Sequence, residues 1–142
     1  MTDSDKRDEE ILLSCSKDIL HAYYEKNEIT MLLAFMAQDI TWCGGGSTMI
    51  ASGRDGVTRF FITTRDKMIP TILSNEQWIS HPLSNDLWLF MASADVETAP
   101  ELALFLKEHL KCDFLYRRNP EAGSGKGWEL VHLNNSISYN KL

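Results

Sequence analysis

The chain has 142 residues, 44% hydrophobic and 24% charged, which suits one globular domain over residues 1–142 and excludes a disordered chain. A domain of this length buries roughly 70% of the surface its unfolded chain exposes, so it folds without a disulfide or a metal. A net charge of −6 and a pI near 5.1 exclude the basic face that a nucleic-acid backbone requires, and the Arg117-Arg118 pair is too small a patch to reverse that.

Residues Met1 to Glu10 are polar and charged, unlike the apolar core of a secretion signal, and no apolar run approaches the roughly 20 residues needed to cross a bilayer. Cys15, Cys43 and Cys112 are odd in number and far apart, with no Cys-x-x-Cys pair, so they read as buried reduced thiols of a cytoplasmic protein. In chain order, Ile11, Leu12, Cys15, Ile19, Leu20 and Tyr23 form an apolar stripe at helical spacing. Asn27 breaks it and is expected to cap a second helix whose apolar face is Ile29, Leu32, Leu33 and Met36. Ile40–Gly44 is β-branched and aromatic and stops at three glycines, which predicts a short strand entering a flexible loop. Ser52-x-x-Asp55 resembles a capping box, and Val57, Phe60, Phe61, Thr64 and Met68 then share one face of a third helix that Pro70 ends.

Four strands are predicted after Pro70. Ile72–His81 alternates through Ser74, Glu76, Trp78 and Ser80. Asp86–Thr98 sets Trp88, Phe90, Ala92, Ala94 and Val96 against Leu87, Leu89, Met91, Ser93 and Asp95, with both faces apolar in its first half, as in a central strand covered on both sides. Glu101–Tyr116 reads as one long strand, helix-like at its start and alternating cleanly through Leu110, Cys112, Phe114 and Tyr116. The turn-rich segment Asn119–Gly127 leads into a last strand, Trp128–Tyr139. Early helices followed by a run of strands predict an α+β fold with three N-terminal helices packed in a strongly curved antiparallel sheet, an α+β barrel shaped like a cone with an open mouth.

The chain resembles the SnoaL-like branch of the nuclear transport factor 2-like superfamily. The likeness rests on Asn27-Glu28, the Leu32–Asp39 run, Ile40-Thr41-Trp42-Cys43-Gly44, Gly53-Arg54-Asp55-Gly56-Val57 with Phe60-Phe61, and the closing Gly127–Ser136 segment. It implies a homodimer built on the outer sheet face and a pocket inside the cone. Members of the superfamily include isomerases, cyclases, dehydratases, epoxide hydrolases, binding proteins and oligomerisation domains, so the fold does not select an activity. The ketosteroid-isomerase relatives use a tyrosine on the first helix and an aspartate after the first strand. Aligned through Ala37-Gln38-Asp39, this chain has Leu20 and Gly44 at those places, and that proton-transfer machine is missing.

Trp128, Leu130, His132, Asn134 and Ser136 share a face of the last strand by the two-residue period. Relatives often read His-x-Ser there, and Asn134 replaces the histidine with an amide that cannot exchange protons near neutral pH. His132 reads either as a base or donor to a ligand, or as a sheet histidine satisfied by its neighbours. Asp95, Asp113 and His81 lie at strand ends, where surface roles are expected. The four histidines lack metal-ligand spacing, so no metal and no cofactor are expected. Trp42 and Trp78 divide evenly between core and pocket wall. With Trp88, Phe60, Tyr116, His132 and Asn134 they make the candidate lining of a pocket for a flat or apolar small molecule. The expected function is therefore a small-molecule-binding dimeric domain without catalysis. The alternatives are a SnoaL-like cyclase, isomerase or hydrolase on an apolar substrate, and a protein-interaction or oligomerisation module.

Overall fold

The protein is described by a computed structural model over residues 2–65, 67–98 and 107–139. Helix α1 (Asp3–Lys26) starts at a capping box: Thr2 Oγ1 accepts the Asp5 N–H at 3.1 Å, and the Asp5 carboxylate accepts the Thr2 N–H at 3.2 Å. It stops at Asn27, whose φ of 54° is left-handed and whose N–H closes onto the Ala22 carbonyl. Asn27 thus ends α1 and does not cap α2 (Thr30–Phe35), because asparagine tolerates the left-handed turn that stops a helix. Glu28 supplies the start of α2 instead, accepting the Thr30 N–H at 2.7 Å.

Met36, expected on the second helix, opens strand β1 (Met36–Gly44). The chain then folds back into a strand not foreseen from the sequence, β2 (Ile50–Ser52), which pairs antiparallel with β1. Gly44 allows the turn: a Cβ there would lie 3.0 Å from both the Met49 sulfur and the Trp42 ring. Ser52 belongs to β2, and Gly53, at φ 82°, begins the hydrogen bonding of α3 (Arg54–Arg65) by accepting the Val57 N–H at 3.0 Å. That replaces the expected Ser52–Asp55 capping box.

Strands β3 (Thr71–Ser84), β4 (Leu87–Thr98), β5 (Lys107–Arg118) and β6 (Trp128–Tyr139) complete a sheet of order β2-β1-β6-β5-β4-β3. The expected strand from Glu101 is seen from Lys107 onward; its first residues lie outside the described ones. All ladders are antiparallel except β1 with β6, which run parallel because the hairpin and α3 carry the chain away before it returns. The inner face of β4 and β5 is Trp88, Phe90, Ala92, Ala94 and Val96 beside Leu110, Cys112, Phe114 and Tyr116, all buried against Leu12, Ile19 and Leu20 of α1. Curvature comes with irregularities: β3 shifts register between Ser74 and Gln77, where Asn75 is left-handed, and β6 shifts at Val131.

The irregularity in β6 decides the site. Tyr116 pairs with Leu130 and Leu115 pairs with His132, so Val131 is an extra residue and the alternation changes phase there. Trp128 and Leu130 face the core, then Leu133, Asn135 and Ile137 do. The five-residue face expected from the two-residue period is broken, and His132, Asn134 and Ser136 lie on the opposite, outer side.

Candidate binding pocket

A pocket of about 400 Å³ opens between α1, α3, the β1–β2 turn and the end of β6. Five aromatic residues, Tyr23, Tyr24, Trp42, Phe60 and Phe61, form much of its wall. The rings of Trp42 and Phe60 lie 4.5 Å apart, Trp42 and Phe61 5.2 Å, and Tyr23 meets Phe61 edge-on at 5.3 Å. Met49, Met68 and Ile137 add apolar surface. The polar groups form a short chain: the Trp42 indole N–H donates to Asn135 Oδ1 at 2.6 Å, and Asn135 Nδ2 donates to the Tyr24 hydroxyl at 2.9 Å. Burial pushes the Tyr24 phenol well above the usual tyrosine range, Cys112 adds to the rise, and the Asn135 bond only partly offsets it. Tyr23 is raised by burial too, against the opposing effect of the nearby Thr64 hydroxyl. Both phenols are therefore neutral at pH 7. Among the described residues of the lining there is no carboxylate, imidazole, lysine or arginine.

The candidate residues read from the sequence separate clearly. Trp42 and Phe60 meet in this pocket. Trp88 and Tyr116 are buried elsewhere in the core, and the Tyr116 hydroxyl is held at 2.7 Å by Ser16 Oγ, which itself donates to the Leu12 carbonyl. Trp78 stacks over Phe114 and donates its indole N–H to Glu76 at 3.1 Å, away from the pocket. His132 is on the outer face with Nδ1 2.8 Å from Thr41 Oγ1, and Asn134 pairs there with Asp113. Tyr24, Phe61 and Asn135 line the pocket without being among the candidates the sequence offers for it. Leu133 and Ile137, apolar at odd positions after the even pair Trp128 and Leu130, are the signal that would have found the phase change and with it Asn135.

Two further polar clusters deserve separation from the pocket. On the outer face His109 Nε2 lies 2.9 Å from Ser93 Oγ and its Nδ1 lies 3.2 Å from Asp95, which also accepts from Asn75 at 2.8 Å. The order is that of a nucleophile, base and orienting acid. Yet Ser93 sits mid-strand, paired with Gln77 on one side and Lys111 on the other, rather than at a turn or helix start that aims backbone N–H groups at an oxyanion. Asp95 thus partners His109, and His81 stands apart on the exposed end of β3. The other cluster joins α1 to β3. His21 lies 2.7 Å from Glu25 and 2.7 Å from Glu76, while Glu25 accepts the Leu73 N–H at 3.0 Å.

Burial works against a charged His21, but hydrogen bonds and charge from Glu25 and Glu76 outweigh it and raise its pKa above the ordinary 6.5. Burial raises Glu25, but the Leu73 N–H and His21 outweigh it and hold the acid below its ordinary 4.5. The histidine's contribution to stability is full below pH 6.5 and is lost as pH rises through its raised folded-state value. The carboxylate's contribution is full above pH 4.5 and is lost as pH falls through its lowered value. Melting curves should therefore show wild type losing roughly 1–3 °C relative to His21→Gln as pH rises above 6.5, a small effect because partly exposed ion pairs are screened. Parallel pH profiles for the two proteins would remove the clamp from the stability account.

Among the described residues, no group of three or more His, Cys, Asp or Glu is placed to hold a metal, and no helix is long and apolar enough to cross a membrane. No protein-family model matches the chain, and the comparison with curated proteins finds no match. Solved structures do match. An NTF2-like protein of unknown function from Pseudomonas putida KT2440 superposes with a TM-score of 0.75 at 17% identity, over 92% of this chain and 87% of that one. This chain has the nuclear transport factor 2-like fold. LinA shares the fold at a TM-score of 0.74 and 16% identity, over 98% of this chain and 92% of its own. The hub of the S. rosetta CaMKII shares it at 0.62 and 14% identity, over 89% and 94%. At this level of identity the similarity carries the architecture alone.

Proposed function

We propose that the protein binds a small, largely apolar molecule in the pocket behind Trp42 and does so without catalysing its conversion. The observation that carries this reading is the lining itself: aromatic and aliphatic walls, neutral phenols, and no described carboxylate or imidazole to move a proton. Ketosteroid-isomerase chemistry has no support, since Leu20 is core and Gly44 carries no side chain. The chemistry fits the non-enzymatic binder first expected from the sequence, with Trp42 and Phe60 retained as ligand contacts and Tyr24 and Asn135 added. The free cysteines, two of them buried, fit a reducing cytoplasm.

The test compares native and denatured masses of the purified protein. A bound molecule adds mass that denaturation releases. Trp42→Ala should weaken its retention by about ten-fold, the effect of losing roughly 1.4 kcal/mol of aromatic contact. A bare native mass together with failure to bind added apolar compounds would sink the binding reading.

The same protein is proposed to form a homodimer through the outer face of its sheet. Ile79 and Met91, directly paired across β3 and β4, are 57% and 37% exposed, and the pair Leu89–Leu115 continues the apolar surface. The CaMKII hub among the similar folds is consistent with assembly through such a domain.

A further inference from the structure

The polar wall of the pocket has a direction. An indole N–H can only donate, so the Asn135 amide has to turn its oxygen to Trp42 at 2.6 Å, and its nitrogen therefore faces Tyr24 at 2.9 Å. The amide nitrogen cannot accept, so the Tyr24 oxygen is the acceptor in that contact. Each proton is thereby placed: Trp42 donates to Asn135, and Asn135 donates to Tyr24. The relay ends on the Tyr24 O–H, with no acceptor for it among the described residues. Thr64 Oγ1, whose proton goes to the Phe60 carbonyl at 3.1 Å, opposes the rise that burial gives the Tyr23 phenol. Buried donors are as a rule satisfied, and a ligand is the partner the fold leaves room for.

We infer that the pocket takes a ligand whose polar point is a neutral hydrogen-bond acceptor, a ketone, ester or ether oxygen on an otherwise apolar body, received by the Tyr24 O–H. The inference rests on the reading of this pocket as a binding site. A carboxylate or phosphate is disfavoured because the described lining holds no positive charge to offset its desolvation. Asn135 Oδ1 and the Tyr24 oxygen each already accept one hydrogen bond, from Trp42 and from Asn135, whereas the Tyr24 O–H is still to be received, so an acceptor complements the relay better than an amine that can only donate. Tyr24 also borders an adjoining recess of about 220 Å³ that shares Met68 and Ile137 with the pocket, so the acceptor would sit at a junction with apolar surface on either side. Lys67 and Glu108 line that recess together and give it no single sign of charge.

Three probes of one shape test this: 2-acetylnaphthalene with a neutral acceptor, 2-isopropylnaphthalene with none, and 2-naphthoate with a charge. Calorimetric titration of the full chain should rank the ketone about five- to ten-fold tighter than the hydrocarbon, with the carboxylate weakest. Tyr24→Phe should abolish the ketone's advantage while the hydrocarbon binds as before; a merely structural role for Tyr24 would shift all three probes alike. Trp42→Phe provides a second arm. Without the indole N–H the Asn135 amide is free to turn and accept the Tyr24 proton, so the ketone should lose its lead over the hydrocarbon within that variant although Tyr24 is intact. Equal affinities of ketone and hydrocarbon for wild type, a ketone advantage that survives Tyr24→Phe, or a carboxylate that binds tightest overturns the inference and leaves the apolar pocket standing. Binding of none of the three, by protein with a native unfolding transition, overturns the pocket reading and this inference with it.

Discussion

Replacing Trp88 by alanine should destabilise the protein by about 3–5 kcal/mol and lower its melting temperature by roughly 10–15 °C, while leaving ligand affinity intact wherever the variant is folded. The ring is wholly buried, stacks on Phe90 at 5.8 Å, and lies opposite Tyr116 across the β4–β5 ladder. Phe90 and Phe35 meet Tyr116 edge-on at 5.8 Å, and Tyr116 is anchored to α1 through Ser16. Truncation therefore leaves a cavity that rigid neighbours cannot close. Trp42→Ala should behave in the opposite way, losing binding with the smaller loss of stability, because one side of its ring faces the pocket. Thermal denaturation and probe titration on the two variants check the contrast. A Trp88→Ala protein that melts within a few degrees of wild type, or one that is folded and no longer binds, would mean that the pocket reaches the packed end of the cone.

Much of this fold can be read in the sequence because its periodicities are strong. The α1 stripe is dominated by residues that are indeed buried, Leu12, Cys15, Ile19 and Leu20, and the two-residue alternation of β4 and β5 separates core from outer face correctly over both strands. What escaped lies where the backbone departs from regular geometry. Asn27 has the side chain of an N-cap, and only its left-handed backbone makes it a terminator. The β1–β2 hairpin hides behind three glycines, and β2 is three residues long, too short to establish a period. At Val131 one inserted residue exchanges the faces of all that follows, so His132 and Asn134 move out and Asn135 moves in. A site placed downstream of a bulge inherits that error. Trp42 and Phe60, upstream of it, come together in the pocket, whereas among the tryptophans Trp78 and Trp88 could not be told from wall residues because alternation marks the inner face but not how deep a residue lies within the cone.

The second large effect is expected on the outer face, where a single charge should convert the proposed dimer into a monomer. Leu115 lies between Leu89 and His132 in neighbouring strands, beside the exposed pair Ile79 and Met91. In a two-fold interface the same patch meets itself, so Leu115→Glu buries two carboxylates for one mutation and sets like charges near each other. Uncompensated burial of this kind should raise the dimer dissociation constant by about 100-fold or more. Light scattering would then report twice the chain mass of 16.2 kDa for wild type and 16.2 kDa for the variant, with the circular dichroism of a folded protein in both. Ile62→Glu is the control, since Ile62 is 46% exposed on α3 and away from the sheet's outer face; it should leave the mass of wild type unchanged. If wild type itself runs at the single-chain mass at micromolar concentration, the sheet face is not a self-interface. The pocket reading would survive that result, because its walls come from α1, α3, the β1–β2 turn and β6 of one chain.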